Sequence, residues 1–405
     1  MPAFITGLYK KAYEGLSRNS WYLSIVMLIN RSGTMVIPFM TIYCTQRLHF
    51  SIAQAGFIMG LFGLGAITGA YFGGKIIDTI GFYTLQVASL FAGGAMFMVV
   101  GYLHHFVTLC IGVYILSICN ESFRPANSTA IAHYSKPENR TRSYSLNRLA
   151  INLGWGVGGA LGGFLASHNY RLLFWVDGST NIMAAIMLLF LLPRAATEAK
   201  SPRDKTEIPE GSSAYRDKTY LSFIALVVLF AFCFFQLFTM LPLFYKIAWH
   251  FDEQFIGILM AMNGLIIALI EMILIFKLEG TRPPLYFIKI GILLIGLGFV
   301  LSNLLPASRL TAVLSMLLIS LGEILSMPFM NTFWISRSAH NNRGQYAALY
   351  TMAWSTAQTI APSIGSQVIQ HIGFTILWWV IGILSILISS GFLLMSRKEN
   401  TALSL

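Results

Sequence analysis

Six ionisable residues, Arg31, Glu121, Arg124, Arg148, Glu271 and Glu323, stand inside long apolar runs of this sequence. A charge at the centre of a membrane helix costs about 2.5–3.5 kcal/mol on insertion scales, so such residues must pair with one another or face water. Three are basic and three acidic, which permits pairing. Apolar surroundings favour the neutral form of a carboxylic acid, and a nearby arginine favours its anion. A glutamate beside an arginine can therefore take up and release a proton as the pairing changes. Asn120, Glu121, Arg124, Asn127 and Ser128 recur at three- and four-residue steps, as do Asn30, Arg31 and Thr34, and such steps fall on one side of a helix. A second reading of the same residues is a buried ion-pair network that only fixes helix packing, with Glu121 and Arg124 one turn apart and Arg148 joining them. Glu271 lies toward the inner end of its run, within reach of interfacial water, and Asp177 is expected near the outer interface.

The runs that carry these residues define the architecture. Of 405 residues, 56% are hydrophobic and 11% charged, against about 25% charged in ordinary soluble proteins. A membrane helix needs about 20 apolar residues at about 1.5 Å each. The pattern predicts twelve spans: Trp21–Cys44, Ala53–Ile77, Gln86–Leu103, Phe106–Tyr134, Ser143–Ser167, Leu172–Leu192, Tyr220–Ile247, Phe255–Phe276, Leu285–Leu304, Leu310–Ser336, Gly344–Ile369 and Gly373–Met395. The expected fold class is all-α and integral to the membrane. The first segment, residues 1–20, carries Lys10, Lys11 and Arg18 without a cleavage site and is expected to lie along the membrane surface. Loops expected outside hold Arg47, Arg171, Lys246 and Arg309, while most other basic residues fall on inner loops and tails. Both termini are therefore expected in the cytoplasm, with the chain in a bacterial inner membrane. The net charge of +11 follows from that topology and calls for no nucleic-acid partner.

Residues 193–219 are polar, with Tyr215 the only aromatic, and read as a linker between two six-span bundles, 21–192 and 220–395; a tail covers 396–405. The halves resemble copies of each other. At a shift of 203 residues Pro125 falls on Pro328, Arg140 on Arg343, Gly162 on Gly365 and Trp175 on Trp378. Nearer the start of each half, a slightly different shift places Gly56 on Gly257 and Asp78 on Glu279. Duplicated membrane halves mark secondary transporters, whose solute site lies at midplane between the repeats. The four cysteines, Cys44, Cys110, Cys119 and Cys233, have no metal-ligand spacing and read as small packing residues. No HExxH or GxSxG motif occurs, so neither enzyme chemistry, a metal nor a cofactor is expected.

Twelve spans as six plus six, the linker, and a loop after span two reading GGKIIDTIGFY together resemble the major facilitator superfamily. That loop supplies Gly74, Asp78 and Gly81 at the family's spacing, with Phe82 and Tyr83 where basic residues are usual and Lys75 nearby. The resemblance implies two pseudo-symmetric six-helix bundles and a conformational latch at this loop. Span five, NLGWGVGGALGG, resembles the antiporter motif of drug/proton exporters: Gly162 and Gly163 match and Gly159 stands in the proline position. Gly154, Gly158 and Gly162 form a small-residue stripe that lets helices approach closely. Span four departs from those exporters, with Val113 or Tyr114 where their arginine stands.

In the superfamily, spans one, four, seven and ten line a central cavity. The resemblance thus implies a cavity set of Asn30, Arg31, Thr34, Asn120, Arg124 and Asn127. Gln236 of span seven and Tyr350, Trp354 and Gln358 of span eleven are further candidates, and Arg148 belongs to the charge network. Glu121 and Glu323 are expected to carry protons, with Glu271 a third candidate. The function expected is proton-coupled transport of a small organic solute by a monomer working by alternating access, with export of amphipathic or drug-like compounds by antiport favoured. The alternative is proton-coupled import of a zwitterion such as an amino acid or short peptide. The Glu-x-x-Glu-Arg signature of peptide importers is absent before Arg31, where Met27 to Asn30 stand instead. A lipid-like solute fits the same charges, and a transport-dead sensor is the alternative of a different class.

Overall fold

A computed structural model describes residues 15–136, 140–194, 213–278, 280–338 and 343–403. The side chains of Asp78 and of residues 398–403 lie outside the described set, as does most of the linker. Every regular element among the described residues is a helix. Eleven helical segments are long and apolar enough to cross a membrane, from Arg18–Arg47 to Phe374–Arg397. They coincide with eleven of the twelve expected spans. The remaining one, expected at Gly344–Ile369, forms the 29-residue helix Arg343–His371. It is the most polar of the set, with Gln345, Thr351, Ser355, Gln358 and Thr359 along it. The last helix runs Phe374–Leu403, beyond the apolar stretch. Large apolar side chains stand fully outward, Phe190 at 85% exposure among them, as a surface solvated by lipid requires.

Two spans are broken. Span one consists of helices Arg18–Ser32 and Val36–Ile42 followed by a π-helical turn, Tyr43–Arg47. Pro38 lies in the first turn of the second helix, where a missing N–H costs nothing. Span four divides at Ser122 into Phe106–Glu121 and Phe123–Tyr134. Pro125 there cannot donate to the carbonyl of Glu121, four residues back. Gly81, at φ +80°, separates spans two and three in a conformation that glycine alone adopts without strain.

The chain divides into two compact units, Met1–Val36 with Gly65–Ser201 and Ile37–Leu64 with Pro202–Leu405. In the first, Leu23, Met27, Leu90, Phe123, Ile131 and Leu188 form a core drawn from spans one, three, four and six. In the second, Phe299 stacks on Trp378 at 5.1 Å between spans nine and twelve. A Cβ on Gly291 would lie 2.5 Å from the Gly322 carbonyl, so spans nine and ten touch backbone to backbone.

The internal repeat is written into the backbone. His49 and His250, 201 residues apart, both have positive φ, 56° and 55°. Each ends its span with the same closure, Phe50 N–H to Cys44 O in one half and Phe251 N–H to Tyr245 O in the other. The starts of spans one and seven correspond in position and differ in chemistry. Ser17 caps span one, accepting from Ser20 N–H and donating to Tyr134 O, while Ser20 pairs with Ser143. In the second half the cap is Asp217, which accepts from Tyr220 N–H. Arg337 grips both of its carboxylate oxygens, at 3.1 and 3.2 Å, and the Tyr346 hydroxyl adds a bond of 3.0 Å.

Burial works to raise the pKa of Asp217, but hydrogen bonds from Arg337, Tyr220 and Tyr346 and the charge of Arg337 outweigh it and hold the carboxyl below its ordinary value. A depressed carboxylate stabilises the fold above its unfolded pKa of about 3.9, and that contribution disappears as pH falls through the folded value. Asp217→Asn is expected to cost about 1–3 kcal/mol at neutral pH. The gap in melting temperature between wild type and variant in detergent should narrow as pH falls below about 4. A gap that persists at the acid end would show that the ion pair is not its source.

Candidate functional site

The break in span one organises the first unit. Residues 33–35 leave the helix, and the second helix begins with free backbone N–H groups inside the membrane, where no water can satisfy them. Asp177 of span six supplies the acceptor. Its carboxylate takes bonds from Met35 N–H at 3.0 and 3.3 Å and from Val36 N–H at 3.0 Å. It is fully buried within the protein, bonded to the break in span one. Around it, Asn181 donates to the Asp177 carbonyl and accepts from Asn30 at 2.9 Å. Gly33 must lack a side chain, because a Cβ there would fall inside Thr180. Thr34 is buried in the break itself, its N–H bonded to Arg31 O. Gly33 and Pro38 within an apolar run, with an acid in span six, were the available signal for this cap.

Arg31 stands one turn before the break. Span five approaches it closely: a Cβ on Gly154 would lie 2.5 Å from Arg31 Cβ, and one on Gly158 would lie 3.1 Å from Thr34 O. The glycine stripe therefore packs on span one at this arginine. Gly159, Gly162 and Gly163 are buried as well. Glu121 is buried and meets Arg124 Nε at 3.4 Å, while Arg124 itself is 60% exposed. Both act electrostatically on Arg31. Asn120 is buried beside Glu121, and Asn127 accepts from Gln86 of span three at 3.4 Å, a partner that sequence did not indicate. Arg148 is partly buried on span five.

In the second unit Glu323 of span ten accepts from Asn263 of span eight at 3.3 Å. The same amide donates to Ser320 Oγ at 3.0 Å. Asn263 lies sixty residues away, so only the fold joins it to the acid. Glu271, also on span eight, is buried within the protein. Gln236 is fully enclosed, with Nε2 bonded to Ala361 O and its amide filling the space above Gly365. It ties spans seven and eleven together and does not line open space here. Trp354 sits among Phe230, Phe234 and Phe235 of span seven at ring distances of 5.8–6.0 Å. Its indole N–H is buried without a hydrogen-bond partner among the described residues. Tyr350 adjoins it at 6.3 Å, and Gln358 is partly exposed one turn further on. Of the latch residues, Gly74 faces open space, Gly81 makes the turn, and the Asp78 side chain lies outside the described set.

Broken membrane helices, internal duplication and membrane-buried charges of both signs form the arrangement of a transporter. Residues 23–362 match the family described as Major Facilitator Superfamily. The chain belongs to the major facilitator superfamily. Among curated members it is 22% identical over 396 residues to the Na(+), Li(+), K(+)/H(+) antiporter of Planococcus maritimus, covering 90% of this chain and 92% of that protein. It is 25% identical over 223 residues to multidrug resistance protein MdtH of Salmonella arizonae, covering 54% and 53%. A crystal structure of a POT family transporter in complex with 5-aminolevulinic acid superposes with a TM-score of 0.80 at 16% identity, over 95% of this chain and 97% of that one. At that identity the likeness concerns the fold alone. This member of the superfamily is a multi-pass membrane protein and a secondary transporter, not an enzyme.

Removing the Asp177 cap leaves the Val36 N–H without its acceptor in the membrane and Met35 N–H with the Gly33 carbonyl alone. Asp177→Ala is expected to cost about 3–5 kcal/mol and Asp177→Asn, which keeps one acceptor, about half as much. Unfolding of the purified protein in detergent would check the order, and equal losses would show that the carboxylate is not the cap.

Proposed function

We propose that the chain is a proton-coupled transporter that exports amphipathic organic compounds by antiport, working by alternating access. The observation that carries the reading is Glu323: a membrane-embedded carboxylate that accepts from the neutral amide of Asn263, which also donates to Ser320. As the anion, Glu323 accepts from the Asn263 amide. As the neutral acid it becomes a donor and must turn to an acceptor, so gain or loss of one proton changes how spans eight and ten are joined. Glu121, held by Arg124 across one turn of span four, is the second proton carrier, and Glu271 is a third candidate. A protonation that alters contacts in one conformation more than another shifts their populations, which is the requirement for coupling.

The aromatic surround of Trp354 supports an apolar or aromatic solute body, and the antiporter and multidrug relatives support exchange and export. Gly154 and Gly158, packed on span one, are the proposed helix-packing element, and Gly74, Asp78 and Gly81 the proposed latch. The proposed organisation is two six-span bundles, 21–192 and 220–395, in a monomer with both termini in the cytoplasm. A second reading, import of a zwitterion, draws on Arg31 and Arg124 in the first unit and Glu271 and Glu323 in the second.

Liposomes with a pH-sensitive dye inside, given cationic dyes, dipeptides or carboxylates in turn, test both readings. Wild type should move protons when a solute is present, against the direction of solute for antiport and with it for symport. Glu323→Gln should reduce proton movement to the level of empty liposomes. Solute movement without protons in wild type would end the proton-coupled reading.

A further inference from the structure

The charges of the first unit do not balance. Among its residues with described side chains the acids are Glu121 and Asp177. Asp177 spends both carboxylate oxygens on the backbone of residues 35 and 36. Glu121 is engaged by Arg124. Asn30, the nearest polar neighbour in sequence, donates to Asn181. Arg31 is left over: its side chain has no hydrogen bond or ion pair among the described residues, and its Nε is buried without a partner. A guanidinium offers five donors, and a buried donor left unmet costs stability that evolution could remove by substituting an apolar residue. An arginine that the fold does not use is one held for something absent from the fold.

Depth decides what that is. Arg31 lies 13 residues from the start of the Arg18–Arg47 span and 16 from its end, about 20 Å and 24 Å along a helix. Lipid headgroups lie outside a hydrocarbon core about 30 Å thick, so an anion reaching this residue comes from a solute. The partner geometry is that of a carboxylate, whose two oxygens match the planar fork of a guanidinium. Gly154 keeps the other side of Arg31 packed on span five, which fixes the stem while the donors stay unmet.

We propose that Arg31 is the binding point for the carboxylate of the transported solute, making the solute class an amphipathic carboxylate. The proposal rests on the reading of the chain as a solute transporter and is independent of whether transport is proton-coupled. Two guanidinium groups, Arg31 and Arg124, against the one carboxylate of Glu121 leave a single positive charge, which one carboxylate neutralises.

The test is binding to purified protein in detergent, with no gradient, using dansylglycine and its neutral analogue dansylglycinamide as fluorescent probes. Wild type should bind dansylglycine more tightly than the amide. Arg31→Gln should weaken dansylglycine by about ten- to a hundredfold and leave the amide unchanged, and Arg31→Lys should retain part of the preference. Arg31→Gln should also melt no lower than wild type, because the side chain it removes makes no hydrogen bond or ion pair among the described residues. Equal binding of the two probes by wild type would overturn the proposal. So would a preference that survives in Arg31→Gln, or a variant that fails to fold, which would mark a structural arginine. Loss of proton coupling in the liposome assay with the Arg31-dependent preference intact would count against the coupling reading alone.

Discussion

The bond between Asp177 and the backbone of residues 35 and 36 is the interaction on which the first unit depends. A helix interrupted inside hydrocarbon exposes N–H groups that nothing in the lipid can satisfy. Without an acceptor brought by another span, span one would close into a continuous helix. With it, the chain can leave helical geometry at Gly33 to Met35, and Arg31 ends the first helix instead of lying in the middle of a longer one. The glycines of span five then reach the backbone of residues 31–34, and Asn30 finds Asn181. One carboxylate thus sets the position of every polar group around the break.

The two halves show how a duplicated scaffold accepts different chemistry at equivalent points. The caps of spans one and seven occupy matching positions, yet one is built from serine hydroxyls and the other from an aspartate, an arginine and two tyrosines. The left-handed closures at His49 and His250 are retained because they depend on backbone geometry, which side-chain divergence does not alter. Polar groups within the spans have diverged further. The first unit sets Arg31 and Arg124 about Glu121, and in the second the amide of Asn263 donates to Glu323.

The sequence by itself determined the membrane architecture. Hydropathy is a local property, and a helix buried in lipid must satisfy its own backbone, so runs of apolar residues fix the spans wherever the rest of the chain lies. The repeat, the polar faces of spans one and four and the membrane-embedded charges were readable for the same reason. Even there, Arg343–His371 shows the limit: its polar residues take it below the apolarity of the other spans although its helix is as long.

Only the tertiary structure decided which charges are spent and which are spare. Asp177 is the fully buried cap of a broken helix, Glu271 is buried, and Gln236, a cavity candidate by sequence, is enclosed against Ala361. Asn263 and Gln86, unremarkable in sequence, hold Glu323 and Asn127. Each of these outcomes depends on how far one helix is rotated and shifted against another. In a membrane that register is set by close packing at small residues and by hydrogen bonds between distant segments, and neither is encoded in the hydropathy of any single span.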